Sequence, residues 1–162
     1  MLFYKLTWHS CAAIKKILFK LIYGRKVFFG KKTTFRKRFN LAIDGKGVVK
    51  IGSNCFFNND CSINAQEYIE IGDNSLFGEG VKIYDHNHVF KDKQMMIKDQ
   101  GYKSSSVKIG SNCWICSNVI ILKGVTIGDN CVIGAGCIVT SDVEDGSIIK
   151  MKQTFLEYEK IR

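Results

Sequence analysis

Along the last third of the chain a large aliphatic residue returns at every sixth position: Ile109, Ile115, Ile121, Ile127, Ile133 and Val139. A second register, two positions earlier, is small and apolar: Val107, Cys113, Val119, Val125, Cys131, Cys137 and Val143. A period of six matches neither the helical period of 3.6 nor the strand period of 2. It matches a chain that bends after every short strand, so that one large and one small side chain per hexad point inward. Three hexads close one triangular coil of a parallel β-helix. Ile109 then stacks on Ile127, Ile115 on Ile133 and Ile121 on Val139.

The same register runs upstream through Ile51, Phe57 and Ile63, with Cys55 and Cys61 in the small slot. It resumes two residues late at Ile71, Phe77 and Ile83, with Ser75 and Val81, so residues 64–70 carry a two-residue insertion at a corner. After Ile83 the pattern stops until Val107. The segment from Asn87 to Ser106 leaves the coil as one long loop, and loops of that length in a compact domain are usually functional or disordered. Lys31 to Val49 reads as one more coil. The fold class is an all-β solenoid of about five coils, built by nearest-neighbour stacking. The expected organisation is an N-terminal helical segment over 1–30, a β-helix domain over 31–145 with the loop at 87–106, and a C-terminal tail over 146–162.

Seven cysteines raise the question of a disulfide or metal framework. Five of them, Cys55, Cys61, Cys113, Cys131 and Cys137, fall in the small inward slot and serve as small hydrophobes. Cys113 and Cys116 have the CxxC spacing, but the hexad phase turns them to different sides, so no metal is expected. Free thiols imply a reducing compartment, hence the cytoplasm.

Charge is uneven. The chain holds 24 basic and 15 acidic residues, and eleven of the basic ones precede the first acid, Asp44. Beyond that point 13 basic residues face 15 acidic ones. Inside the basic segment Ile14, Ile17, Leu18, Leu21 and Ile22 fall on one helical face, with Lys15, Lys16 and Lys20 off it. The lysines argue against a transmembrane span or a signal peptide. Two compatible readings remain. The apolar face caps the open end of the solenoid with its lysines outward, or the helix lies on an anionic membrane at the inner face of the cytoplasmic membrane. No nucleic-acid-binding motif accompanies the charge, so nucleic acid is not an expected partner.

The stretch from Val107 to Thr140 contains Trp114-Ile115, Asn118, the run Gly124-Val125-Thr126-Ile127-Gly128-Asp129-Asn130, Ile133-Gly134-Ala135-Gly136 and Val139-Thr140. With a histidine ahead of the loop, it resembles the hexapeptide-repeat acyltransferases. It is most similar to the sugar O-acetyltransferases, the group of galactoside and maltose acetyltransferases and the enzymes that modify capsule or lipopolysaccharide sugars. The resemblance covers about residues 45–145. It implies a left-handed β-helix, a homotrimer, acetyl-CoA in a groove between neighbouring β-helices, and a saccharide acceptor in capsule, exopolysaccharide or lipopolysaccharide synthesis.

Moving an acetyl group from a thioester to a hydroxyl needs a general base, and histidine is the natural choice near neutral pH. The chain has His9, His86 and His88. The resemblance maps the catalytic histidine onto His86, three residues after Ile83. His88 shares its face if the backbone is extended, and is the alternative. Asp85 is a candidate to orient the imidazole, although adjacent residues usually point apart. The acceptor-binding asparagine of the family falls on Asn58, then Asn59; each also suits a corner in left-handed conformation. The family's coenzyme A positions map to Trp114, Ser117, Ala135 and Thr140. Its Gly-x-Pro-Ala-Lys/Arg ending is missing. Lys150 and Lys152 stand in that region as candidates for the phosphates. The pattern implies direct attack in a ternary complex, with a backbone N–H stabilising the oxyanion. The competing functions are N-acetylation of an amino sugar nucleotide, a non-catalytic scaffold, and metal-dependent hydration of the γ-class carbonic anhydrase kind. The last needs three histidine ligands, and only two histidines lie in the β-helical region.

Overall fold

The computed structural model describes residues 2–152, with side chains from residue 8 onward. Three parallel sheets form the sides of a triangular prism. The first sheet holds Val27–Phe29, Val48–Ile51, Tyr68–Ile71, Val107–Ile109 and Thr126–Ile127. The second holds Thr34–Phe35, Phe56–Phe57, Leu76–Phe77, Trp114–Ile115, Val132–Ile133 and Ile148–Ile149. The third holds Asn40–Ile43, Ser62–Ala65, Lys82–Tyr84, Ile120–Ile121 and Ile138–Val139. The chain visits the sheets in this order through five complete turns. Val143, bridged to Ile127, and Ile148–Ile149 begin a sixth. The first turn opens at Val27, ahead of the Lys31 start that the weak upstream pattern suggests. The sixth reaches into residues 146–152 of the expected tail, whose remainder, 153–162, lies outside the described residues.

The period of six sets the register. Ile109 pairs with Ile127, Ile115 with Ile133 and Ile121 with Val139. The large inward side chains are aromatic near the N-terminal end and aliphatic towards the other. Phe35 stacks on Phe39 and Phe57 on Phe77, each with ring centroids 4.3 Å apart. The five cysteines of the small slot are buried and unpaired, while Cys11 is exposed and Cys116 half-buried. Burial pushes the Cys61 thiol up to about 11 and raises Cys55 and Cys113 in the same direction. Between the first and second sheets the chain turns through Asn54, Asn74, Asn112 and Asn130, all at positive φ. Asparagine tolerates that conformation better than most residues. Asn54 Nδ2 donates to Asn74 Oδ1 at 2.9 Å and Asn112 Nδ2 to Asn130 Oδ1 at 2.8 Å. The corner amides thus form hydrogen bonds from turn to turn.

The N-terminal helix α1 (Leu2–Tyr23) covers the open end of the prism, but not by its apolar stripe. Ile14, Ile17, Leu18, Leu21 and Ile22 are exposed, between 49% and 75%. The inward side holds Ala12 and Phe19, with lysine ends beside them. Lys15 Nζ donates to Phe39 O at 2.6 Å, Lys16 Nζ to Thr33 O at 2.8 Å and Lys20 Nζ to Val27 O at 3.2 Å. Tyr23 Oη donates to Leu41 O at 3.0 Å. The expectation of an apolar cap with outward lysines is therefore corrected. The cause is the first turn itself: no turn precedes it, so its carbonyls have no ladder partner. Unpaired buried carbonyls are costly, and ammonium donors satisfy them better than isoleucine can.

Candidate active site

The site forms where the third turn leaves the prism. Ile83 points inward on the third sheet, and Asp85, two residues on, keeps the inward phase and is fully buried. Its carboxylate is held from the turn beneath. Gln66 N donates to Oδ1 at 2.8 Å and Oδ2 at 3.1 Å, and Glu67 N donates to Oδ2 at 2.8 Å. Gln66 and Glu67 lie at the two-residue insertion, so the insertion supplies the donors. Ser105 N donates to Asp85 O at 2.8 Å and Gly124 N to Ser105 O at 3.0 Å, closing the excursion back onto the coil.

His86 Nδ1 lies 2.9 Å from Asp85 Oδ1. Both carboxylate oxygens already accept N–H groups, so Nδ1 meets them as a donor; in the tautomer that makes this bond, the lone pair lies on Nε2, on the far side of the ring from Asp85. The His86 side chain is 17% exposed, open enough for a small reactant. The adjacent-residue argument against Asp85 fails because the strand ends here and the chain turns into the arm.

That arm is an ordered hairpin. His86–His88 pairs antiparallel with Tyr102–Ser104. The Tyr102 ring meets His86 edge-on at 5.2 Å and His88 at 4.4 Å. His88 is exposed and has no carboxylate partner among the hydrogen bonds of the described residues. Nothing in the local sequence points to Tyr102; its place follows from the hairpin register alone. Further out the arm exposes Phe90, Met95, Met96 and Ile97.

The other predicted residues divide between two edges of the third sheet. Thr140 follows Val139, which pairs through Ile121 in the column of Ile83, and so lies on the His86 edge. Ser117 and Ala135 stand in register at the opposite edge, between the second and third sheets. Lys150 and Lys152 follow the sixth turn at that edge, exposed. Trp114 leads into it, 54% exposed on the second sheet. Asn58 belongs to the same edge one turn below Gly78, where its Oδ1 accepts from Arg36 Nη1 at 3.2 Å and Asn59 N at 2.9 Å. Asn59 Nδ2 donates to Glu79 Oε1. Within one chain the histidine is thus separated from most of the mapped cofactor positions. A groove of about 910 Å³ along the first sheet, between Phe28 and Asp145, contains none of them. Among the described residues no group of three or more His, Cys, Asp or Glu is arranged to hold a metal.

Residues 106–141 match the family described as bacterial transferase hexapeptide (six repeats). Such repeats wind a left-handed β-helix. The chain is 37% identical over 131 residues to a protein of Mycobacterium tuberculosis named a probable acetyltransferase, covering 81% of this chain and 41% of that protein. Among solved structures, a maltose O-acetyltransferase from Clostridium difficile 630 is 37% identical, with 76% of this chain and 65% of that one covered and a TM-score of 0.62. A hexapeptide-repeat acetyltransferase of Vibrio cholerae complexed with acetyl coenzyme A is 25% identical, with 84% and 70% covered and a TM-score of 0.70. The chain spans 41% to 65% of the length of the curated relatives it matches.

Proposed function

We propose that this chain, whose residues 106–141 match the bacterial transferase hexapeptide family and which resembles the sugar O-acetyltransferases, is an acetyl-CoA-dependent O-acetyltransferase acting on a saccharide hydroxyl. The observation that carries this is the buried Asp85 carboxylate holding His86 Nδ1, which leaves Nε2 as the base. In the proposed reaction Nε2 takes the hydroxyl proton as the oxygen attacks the thioester carbonyl. The tetrahedral intermediate collapses, the C–S bond breaks, and the departing thiolate of CoA recovers the proton from the imidazolium. A backbone N–H at the groove stabilises the oxyanion.

The working unit we propose is a homotrimer. The first sheet is clothed in Lys50, Glu70, Lys108 and Thr126 and suits water. The second presents a stacked apolar column of Leu76, Trp114, Val132 and Ile148, three of them exposed. Contiguous exposed apolar surface of this kind marks an interface. A trimer sets the His86 edge of one chain against the Ser117 and Ala135 edge of the next. That supports acetyl-CoA lying between them, with Trp114, Ser117, Ala135, Thr140, Lys150 and Lys152 as its contacts and Asn58 towards the acceptor.

Among the described residues no helix is long and apolar enough to cross a membrane. The exposed stripe of α1 and the acid-free first turn support a peripheral position on the inner face of the cytoplasmic membrane, close to a lipid-carried glycan. The deciding experiment is CoA release from acetyl-CoA against sugars, sugar nucleotides and lipid-linked glycans, with alkali lability of the product separating an ester from an amide. No turnover with any acceptor, together with no acetyl-CoA binding, leaves only the scaffold.

A further inference from the structure

We propose that the cleft between α1 and the first turn binds the phosphate head of a membrane lipid. This rests on the reading of α1 as a membrane-lying helix. The cleft measures about 570 Å³ and is lined by Trp8, Ala12, Lys15, Phe35, Arg36 and Lys37, together with the exposed Cys11 and Arg38. None of its described lining residues is a carboxylate.

Two of these residues carry a buried donor with no acceptor: Trp8 Nε1 and Arg36 Nε. Indole and guanidinium nitrogens only donate. Buried donors are almost always paired; both atoms are closed to solvent as the cleft stands, so an acceptor entering it meets them only once the Trp8 and Arg36 side chains turn towards it. The Arg36 guanidinium is already positioned. Nη1 donates to Asn58 Oδ1 at 3.2 Å, and Cζ lies 5.7 Å from the Trp8 ring and 5.5 Å from the Phe56 ring. Lys15 and Arg38 are committed elsewhere, to Phe39 O and Asp60, but their charge still favours an anion. The Arg36 charge suits a phosphate oxygen, and the apolar side chains of Trp8, Ala12 and Phe35 suit a hydrocarbon. The ligand class is an anionic amphiphile.

Continuity with the helix surface identifies its source as lipid. Ile14 and Leu18 follow Cys11 at i+3 and i+7, on the same side of α1. The cleft therefore runs into the exposed stripe at Cys11. A lipid headgroup reaches it with its chain still among its neighbours.

The test is calorimetric titration of the full chain with octyl phosphate below its micellar threshold, beside inorganic phosphate and octanol. Octyl phosphate is expected to saturate at one per chain, and inorganic phosphate to bind at least about tenfold more weakly. Arg36→Gln and, separately, Trp8→Phe are each expected to weaken octyl phosphate by about tenfold. If Arg36→Gln does not fold, Trp8→Phe, which keeps an aromatic ring, decides. Absence of binding, equal binding of octanol or of free phosphate, or indifference to both variants overturns the assignment. Co-sedimentation with anionic vesicles separates the two readings. Vesicle binding without octyl phosphate binding removes the cleft and keeps the membrane position. The reverse removes the membrane position and gives the cleft to a soluble amphiphile, overturning a lipid ligand.

Discussion

Nδ1 of His86 and Oδ1 of Asp85, neighbours in the chain, lie 2.9 Å apart, with the aspartate fully buried and the histidine facing out. Three contacts from Gln66 and Glu67 amides fix the carboxylate from the turn below. His86→Ala is expected to lower kcat by roughly 10²-fold or more, the usual cost of losing a general base, with acetyl-CoA affinity kept. Asp85→Asn sets an amide N–H₂ among N–H donors. It should lower both kcat and stability, the latter by about 1–3 kcal/mol for unsatisfied buried groups. If Asp85 acts through His86, the kcat loss from Asp85→Asn vanishes in the His86→Ala background while the stability loss remains. Additive kcat losses in the double variant assign Asp85 another role.

The core was legible because the hexad repeat records which side chains point inward. That period gave the stacking of Ile109 on Ile127 and the inward cysteines without any other information. The burial of Asp85 was not legible by that rule, which turns only Val81 and Ile83 of its hexad inward; it follows from a strand that runs on past Ile83, as the strand below runs on from Ile63 to the buried Ala65. The histidine motif drew attention to neighbouring side chains instead. Tyr102 was not legible, because its contact with both histidines depends on a hairpin register that spans an irregular arm. The orientation of α1 is not legible in its sequence, for a definite physical reason. Amphipathic periodicity reports a stripe but not what waits for it, and here a row of unpaired carbonyls took the lysines.

That inversion predicts an unusual mutational pattern in α1. Lys16→Met keeps the apolar stem and removes the donor to Thr33 O. It should cost about 1–3 kcal/mol, the range for a charged hydrogen bond to a partly buried group. Ile17→Lys and Leu21→Lys alter exposed positions and should each stay within about 0.5 kcal/mol of wild type. Urea denaturation read by circular dichroism decides. A helix capping through its stripe gives the opposite order, with the isoleucine and leucine variants the damaging ones.

Cys61 supplies a pH dependence. Burial holds its thiol up at about 11 against an ordinary 9.0. The neutral form is favoured by the fold, so this contribution is fully present below pH 9. It is lost as pH rises from about 9 to about 11, because the unfolded chain releases its proton first. The loss is on the order of 3 kcal/mol. Cys61 shares its column with Val81 and Val119, so valine fits there. Cys61→Val should flatten part of the alkaline decline in unfolding free energy and leave the curve near neutrality in place. An unchanged decline between pH 9 and 11 would place its source in other groups.

The separation of His86 from Ser117 and Ala135 across the third sheet predicts complementation between inactive chains. His86→Ala removes the base from one edge. Ala135→Arg fills the opposite edge, where the pantetheine is expected. Each homotrimer should be inactive. In a mixed trimer, an interface that joins the intact histidine of one chain to the intact corner of its neighbour is whole. Random assembly of equal amounts makes about a quarter of the interfaces of this kind in a cyclic trimer. Co-refolding the two variants should therefore restore roughly a quarter of wild-type activity, and refolding either alone should restore none. Sedimentation confirms that the mixture is trimeric. Mixed trimers without activity would place base and cofactor in one protomer, with the pantetheine crossing the third sheet, and the groove between chains would lose its catalytic role.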